Sequence, residues 1–152
     1  MELEQLDDNI IFLNKKFLSR EDMFKSISHE LLDNNYVTEQ YLEKVIQREN
    51  EHPTGFKLKT LNVAMPHVDC EFVKKDGMFV VTSKEGIIFK NAETDEDLPV
   101  NIIFGLLLKQ SDTHLTFLMK LASSFSNDMI LQKIVESNNK FEIKNILKDI
   151  LK

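Results

Sequence analysis

The chain reads as an α/β protein, a single domain in which a mixed β-sheet is sandwiched between α-helices, and three observations predict this. The run Ile102-Ile103-Phe104-Gly105-Leu106-Leu107-Leu108 is apolar on both faces, as a central strand covered from both sides must be. Shorter β-rich runs, Ile10 to Leu13 and Gly77 to Thr82, supply neighbours for it. Between and after these runs, apolar residues recur at helical spacing behind capping residues, so helices are available to cover both faces. At 152 residues with 42% hydrophobic content, the chain is long enough for one core without disulfide staples.

In chain order, Ile10-Ile11-Phe12-Leu13 is an opening strand. Ser19 caps the first helix, with Glu21 and Asp22 where the helix dipole favours acids. Met23, Phe24, Ile27 and Leu31 share its buried face, and His29 falls on the solvent side. Asp33-Asn34-Asn35 ends it. Thr38 is expected to cap a second helix running to about Asn50, buried through Tyr41, Leu42, Val45 and Ile46, with Arg48 at the edge of that stripe. Glu51-His52-Pro53-Thr54-Gly55 is a turn cluster in which Gly55 offers a positive φ.

Asn62-Val63-Ala64-Met65-Pro66-His67 follows. Proline pushes the residue before it towards extended geometry, so this is a strand that stops at Pro66 and presents His67 just beyond its end. Gly77 to Phe89 reads as strand, turn, strand about Glu85-Gly86, and Glu93 to Asp97 as a solvated acidic loop. After the central strand, Ser111 or Asp112 caps a helix with Leu115, Leu118, Leu121, Ala122 and Phe125 on one face, and His114 lies in its first turn. Asn127 caps a short helix through Val135, and Phe141 to Leu151 forms the last, burying Ile143, Ile146, Leu147 and Ile150.

Composition narrows the function. No run approaches the roughly 18 apolar residues of a membrane span, and the N-terminus is acidic where a signal peptide is basic, so the expected location is the cytoplasm. The single cysteine, Cys70, fits a reducing compartment. Cys70 is near His67 in sequence, but no Cys-x-x-Cys or His-x-x-x-His accompanies them, so neither a metal site nor a thiol nucleophile is expected, and no cofactor. A net charge of −6 without a basic, aromatic-interleaved patch argues against nucleic acid.

Arg48 at a helix end, His67 beyond a strand and His114 opening a helix can be read as one site. A neutral imidazole nitrogen is a competent nucleophile towards phosphorus, and the transferred group needs its equatorial oxygens stabilised. Arg48 has forked donors for this, His114 a ring N–H, and the helix beginning near Ser111 a favourable dipole. The plainer readings stand beside it: Arg48 as the complement of its own helix dipole, His114 as a core histidine, His67 as a turn residue.

At these residues the chain resembles a known family. Arg48-Glu49, Pro53-Thr54-Gly55, Ala64-Met65-Pro66-His67, His114-Leu115 and Leu118 to Leu121-Ala122 are similar, in order and spacing, to the signature of the fructose/mannitol-type enzyme IIA domains of the bacterial sugar phosphotransferase system (PTS). The likeness runs from about Asn9 onward, so it implies one PTS enzyme IIA type-2 domain over residues 1–152, with a mixed sheet between helices. It implies that His67 accepts a phosphoryl group from the phosphocarrier protein HPr and passes it to a IIB component, which phosphorylates sugar taken up through a membrane IIC component. It implies that Arg48 and His114 stabilise the phosphoryl group, in a phosphotransferase with a phosphohistidine intermediate. Phe56 and Met65 depart from the family's usual residues but stay apolar, and the Asn62-Val63-Ala64 lead looks closest to galactitol-like IIA proteins. A regulatory, nitrogen-type IIA protein, which controls a partner by its phosphorylation state, shares the same chemistry.

Overall fold

The structure, a computed structural model, describes residues 6–109 and 115–151. Its frame is a five-stranded mixed sheet formed by β1 (Ile11–Phe12), β2 (Gly55–Lys57), β3 (Asn62–Ala64), β4 (Gly77–Lys90) and β5 (Asp97–Leu107), in the order β1-β4-β5-β3-β2. β4 and β5 are long antiparallel partners, β1 runs parallel to β4, and β3 runs parallel to β5. β5 is therefore internal, as its two-sided apolar character demands.

Helices cover both faces. Residues of α1 (Arg20–Asp33) and α2 (Tyr41–Glu51) pack with Ala64, Phe79, Val81 and Ile103 in one cluster. Residues of α3 (Leu115–Ser123), α4 (Asp128–Glu136) and α5 (Lys140–Ile150) pack with Val63, Met78, Val80, Ile102, Phe104 and Leu106 in the other. Alternation along the strands sends successive side chains to opposite clusters, and burying a residue such as Phe104 or Leu31 contributes about 1.5–3 kcal/mol. Ser19 caps α1 by accepting from Asp22 N–H, Asn127 caps α4 and Asn139 caps α5. His29 is exposed beside Asp33, as its place on the helix predicts.

Several expectations are corrected. Thr38 does not cap α2 through its side chain: the helix starts at Tyr41, and Thr38 Oγ1 is buried without a hydrogen-bond partner among the described residues. Gly77 to Lys90 is one strand, because both halves pair with β5 and the residues around Gly86, at φ 89°, form an irregularity between Thr82 and Ile87. β2 is an unforeseen strand, too short for a period-2 signature, and it forms a hairpin with β3. Gly55 does not use a positive φ; a Cβ there would meet the Lys90 carbonyl oxygen at 2.6 Å, so closeness of backbones excludes a side chain. In α3 the side chains turned into the core are Phe117 and Leu121, whereas Leu118 is half-buried and Ala122 exposed, since the apolar surface of this helix is wider than one face. The Ser111 or Asp112 cap and His114 lie outside the described residues.

Gly105 shows how tightly the central strands are fitted. It sits opposite Phe79 in the β4–β5 register, and a Cβ at that position would fall 1.8 Å from the Phe79 ring. Gly105→Ala should therefore lower stability by about 1–3 kcal/mol, the range for overpacked cores. Chemical denaturation is the check, and an unchanged midpoint would show that Phe79 re-packs freely.

Candidate functional site

His67 lies just past the carboxyl end of β3, where β3 runs beside β5. Strand geometry delivers it there. Met65 N–H donates to the Thr54 carbonyl at 3.3 Å, extending the β2–β3 pairing by one residue. Pro66 has no N–H to give, but its carbonyl accepts from Leu106 N–H at 3.0 Å, tying the turn to β5. His67 Nδ1 is 2.9 Å from the Met65 carbonyl oxygen. A carbonyl only accepts, so Nδ1 carries the proton and Nε2 keeps its lone pair in the neutral ring.

The half-buried His67 ring has its pKa lowered, first by burial and also by the charge of Arg48; the Met65 hydrogen bond and Asp69 act in the opposite direction. Neutral imidazole is thus the favoured form near pH 7. Arg48, in the last turn of α2, borders the same groove. One Arg48 Nη reaches Asp69 Oδ1 at 3.3 Å, while Nε is buried with no partner among the described residues. The Arg48 side chain is 38% exposed and that of Asp69 70%, so this pair contributes less than about 1 kcal/mol and breaks easily.

The groove, about 620 Å³, is otherwise apolar, with Met65, Leu106, Leu108, Leu118, Met119 and Ala122 along it. Cys70 borders it as a free, half-buried thiol. Among the described residues no group of three or more His, Cys, Asp or Glu side chains is placed to hold a metal ion. Among the same residues no helix is long and apolar enough to cross a membrane. The structure thus brings together His67 and Arg48 of the sequence-predicted set, and His114 falls outside the described residues.

Sequence reasoning gave no role to Glu49. It is 2% exposed and faces Thr54, accepting from its N–H and from its Oγ1–H, each at 2.7 Å. Burial pushes its carboxyl up to about 7, against the opposing pull of the two Thr54 hydrogen bonds and of Arg20 and Arg48. The signal was present in the helical spacing: Tyr41, Val45 and Glu49 recur every four residues, which puts an acid on the buried stripe.

With this geometry in place, comparison with known proteins is decisive. The family model for the phosphoenolpyruvate-dependent sugar phosphotransferase system, EIIA 2, matches residues 4–150. The chain belongs to this family. It is 24% identical over 119 residues to the galactitol-specific EIIA component of Escherichia coli K12, covering 78% of this chain and 79% of that protein. Its fold matches the complex of enzyme IIAMTL and phosphorylated enzyme IIBMTL from Escherichia coli with a TM-score of 0.77 at 20% identity, over 95% of this chain and 97% of that one. It also matches the nitrogen regulatory protein IIA-Ntr from Neisseria meningitidis, with a TM-score of 0.78 at 26% identity, over 95% and 97% of the two chains. As an EIIA 2 protein the chain works in phosphoryl transfer for a sugar phosphotransferase system, and its mixed sheet between helices is the fold of the IIA structures.

Two titrations follow for this EIIA 2 protein. A free histidine titrates at about 6.5, so an NMR titration should find the His67 midpoint below that value; a midpoint at or above it would contradict the burial described here. For Glu49 the folded pKa lies above the unfolded one. Its contribution to stability is full below about 4.5 and is lost as pH rises to about 7. Glu49→Gln should remove that decline, up to about 3 kcal/mol, from a plot of unfolding free energy against pH. A plot of unchanged slope between those limits would show that Glu49 is not the group responsible.

Proposed function

We propose that this protein is a IIA phosphoryl carrier in which Nε2 of His67 takes a phosphoryl group from phosphorylated HPr and hands it to a IIB component for sugar uptake through a membrane IIC component. The observation that carries the reading is the Met65 carbonyl on Nδ1, which leaves Nε2 unprotonated in the groove that Arg48 borders. In the step, the bond from phosphorus to the donor breaks as the bond to Nε2 forms. Nδ1 keeps its proton throughout, donating it to the Met65 carbonyl, so no separate base is required. Arg48, weakly engaged by Asp69 and with a spare Nε–H, turns its donors to the phosphoryl oxygens. His114 is assigned the same stabilising task on its place in the sequence alone. The single domain spans residues 1–152, works in the cytoplasm, and serves a system for sugars of the galactitol or fructose/mannitol class, the galactitol-specific relative favouring the former.

The likeness to the nitrogen regulatory protein favours a second reading, in which phosphorylation of His67 controls a bound protein. It is the weaker one, because the matching family is described as a sugar system component. Chemistry at His67 is the same in both.

Incubation with phosphoenolpyruvate, enzyme I and HPr should label His67, and His67→Ala should abolish the label. Label persisting in that variant would refute the assignment. Arg48→Ala and His114→Ala should each slow labelling by about 100-fold while leaving thermal stability nearly unchanged; losses that run in parallel would make them structural. Onward transfer to a IIB protein supports the transport reading, and its failure with every sugar-type IIB would favour the regulatory one.

A further inference from the structure

Three links run in series from the interior to the His67 ring, the first of them double. Glu49 holds Thr54 at both its N–H and its hydroxyl, 2.7 Å each. The Thr54 carbonyl accepts from Met65 N–H at 3.3 Å. The Met65 carbonyl accepts from His67 Nδ1 at 2.9 Å. We propose that Glu49 is a positioning residue for His67: it fixes Thr54, and through Thr54 and the Met65 peptide it fixes the carbonyl that selects the Nδ1–H tautomer and leaves Nε2 as the nucleophile. This rests on the reading of His67 as the phosphoryl acceptor.

The alternative employment for Glu49, simple stabilisation of α2, fits the geometry less well. A carboxylate near the C-terminal end of a helix opposes the helix dipole, and a buried one is disfavoured by its surroundings. Both of its oxygens are spent on one residue five positions ahead, in the turn that opens β2. Among the described residues the two Glu49 contacts are the shortest hydrogen bonds of Thr54, at the end of the β2–β3 pairing where the Met65 contact is the longest of the series. Either ionisation state keeps the hold. The carboxylate accepts twice, whereas the neutral acid accepts from Thr54 N–H and donates to Thr54 Oγ1. Glutamine reproduces the second pattern with its carbonyl and amide, so the chain of contacts depends on the shape and polarity of this side chain and not on its charge.

The test uses the whole protein and reads two quantities, the tautomer of the His67 ring by ¹⁵N NMR and the rate of labelling from phosphorylated HPr. Wild type should show a protonated Nδ1 and a bare Nε2. Glu49→Met, of similar size but without acceptors, should give a mixture of tautomers and labelling at least about tenfold slower. Glu49→Gln should retain the wild-type tautomer and a rate within about threefold. Thr54→Val, which removes the hydroxyl and keeps the N–H, should shift the tautomer partway. A wild-type tautomer and rate in Glu49→Met would overturn the proposal, as would a Glu49→Gln as impaired as Glu49→Met. If Glu49→Met does not fold, Thr54→Val decides, an unshifted tautomer there counting against positioning. Should wild type take no label at all, the acceptor reading falls while the tautomer still decides whether Glu49 positions the ring.

Discussion

Two backbone hydrogen bonds hold the segment on which the site depends: Thr54 to Met65 on the β2 side and Leu106 to Pro66 on the β5 side. A residue past a strand end would ordinarily be free to wander, because its peptide groups leave the ladder. Here the ladder is prolonged on one edge and re-entered on the other. Proline contributes by taking away a donor that would otherwise need a partner, and by pressing Met65 into the extended backbone that turns its carbonyl towards the ring. The histidine is thus placed by main-chain geometry, which a change of surface side chains does not disturb.

That geometry in turn requires β5 to be immobile. Its inner residues are buried on both faces, Ile103 and Leu107 beneath the α1–α2 layer and Ile102, Phe104 and Leu106 beneath the α3–α5 layer. Gly105 lets the Phe79 ring lie against the strand with no side chain between. A strand so enclosed has no low-energy alternative register, since a shift by one residue would exchange the two faces against two already filled clusters. The β3 strand borrows this rigidity through its parallel pairing at Val63 and Ala64.

How much of this was legible in the chain depended on length of signal. Long or two-sided apolar runs and the caps Ser19 and Asn127 read correctly: β5 and the buried face of α1 are as the pattern predicts, and α5 buries Ile143 and Leu147 while Ile146 and Ile150 are half-buried; the Thr38 cap is the exception. Short elements did not. β2 is three residues with a lysine at its end, and only its pairing with β3 makes it a strand. The bulge in β4 mimicked a turn because Glu85-Gly86 carries turn composition whether or not the chain reverses. At the site, His67 and Arg48 were visible as residue types in suggestive places. Glu49 was visible only as the second half of the Arg48-Glu49 block and without a role, although its spacing from Tyr41 and Val45 marked it, because an acid on a buried stripe only gains meaning once its partner Thr54 is known.

The electrostatics of the groove explain why so few polar groups suffice. Leu106, Leu118 and Met119 line the groove with apolar surface, so a charge beside the half-buried His67 ring counts for more than it would on a flat polar surface. The same burial keeps His67 neutral, which a nucleophile requires, and would disfavour a doubly charged phosphoryl group unless a cation were near. On the proposed carrier reading Arg48 meets that need without being locked in place, since its contact with the exposed Asp69 is weak. A strong, buried partner for Arg48 would have neutralised the cation permanently. A fully free arginine would have lost more side-chain entropy on engaging the phosphoryl group. The loose pair lies between these limits, and it suits a carrier that must accept a charged group and then give it up, because binding that group too tightly would halt the relay at its first step.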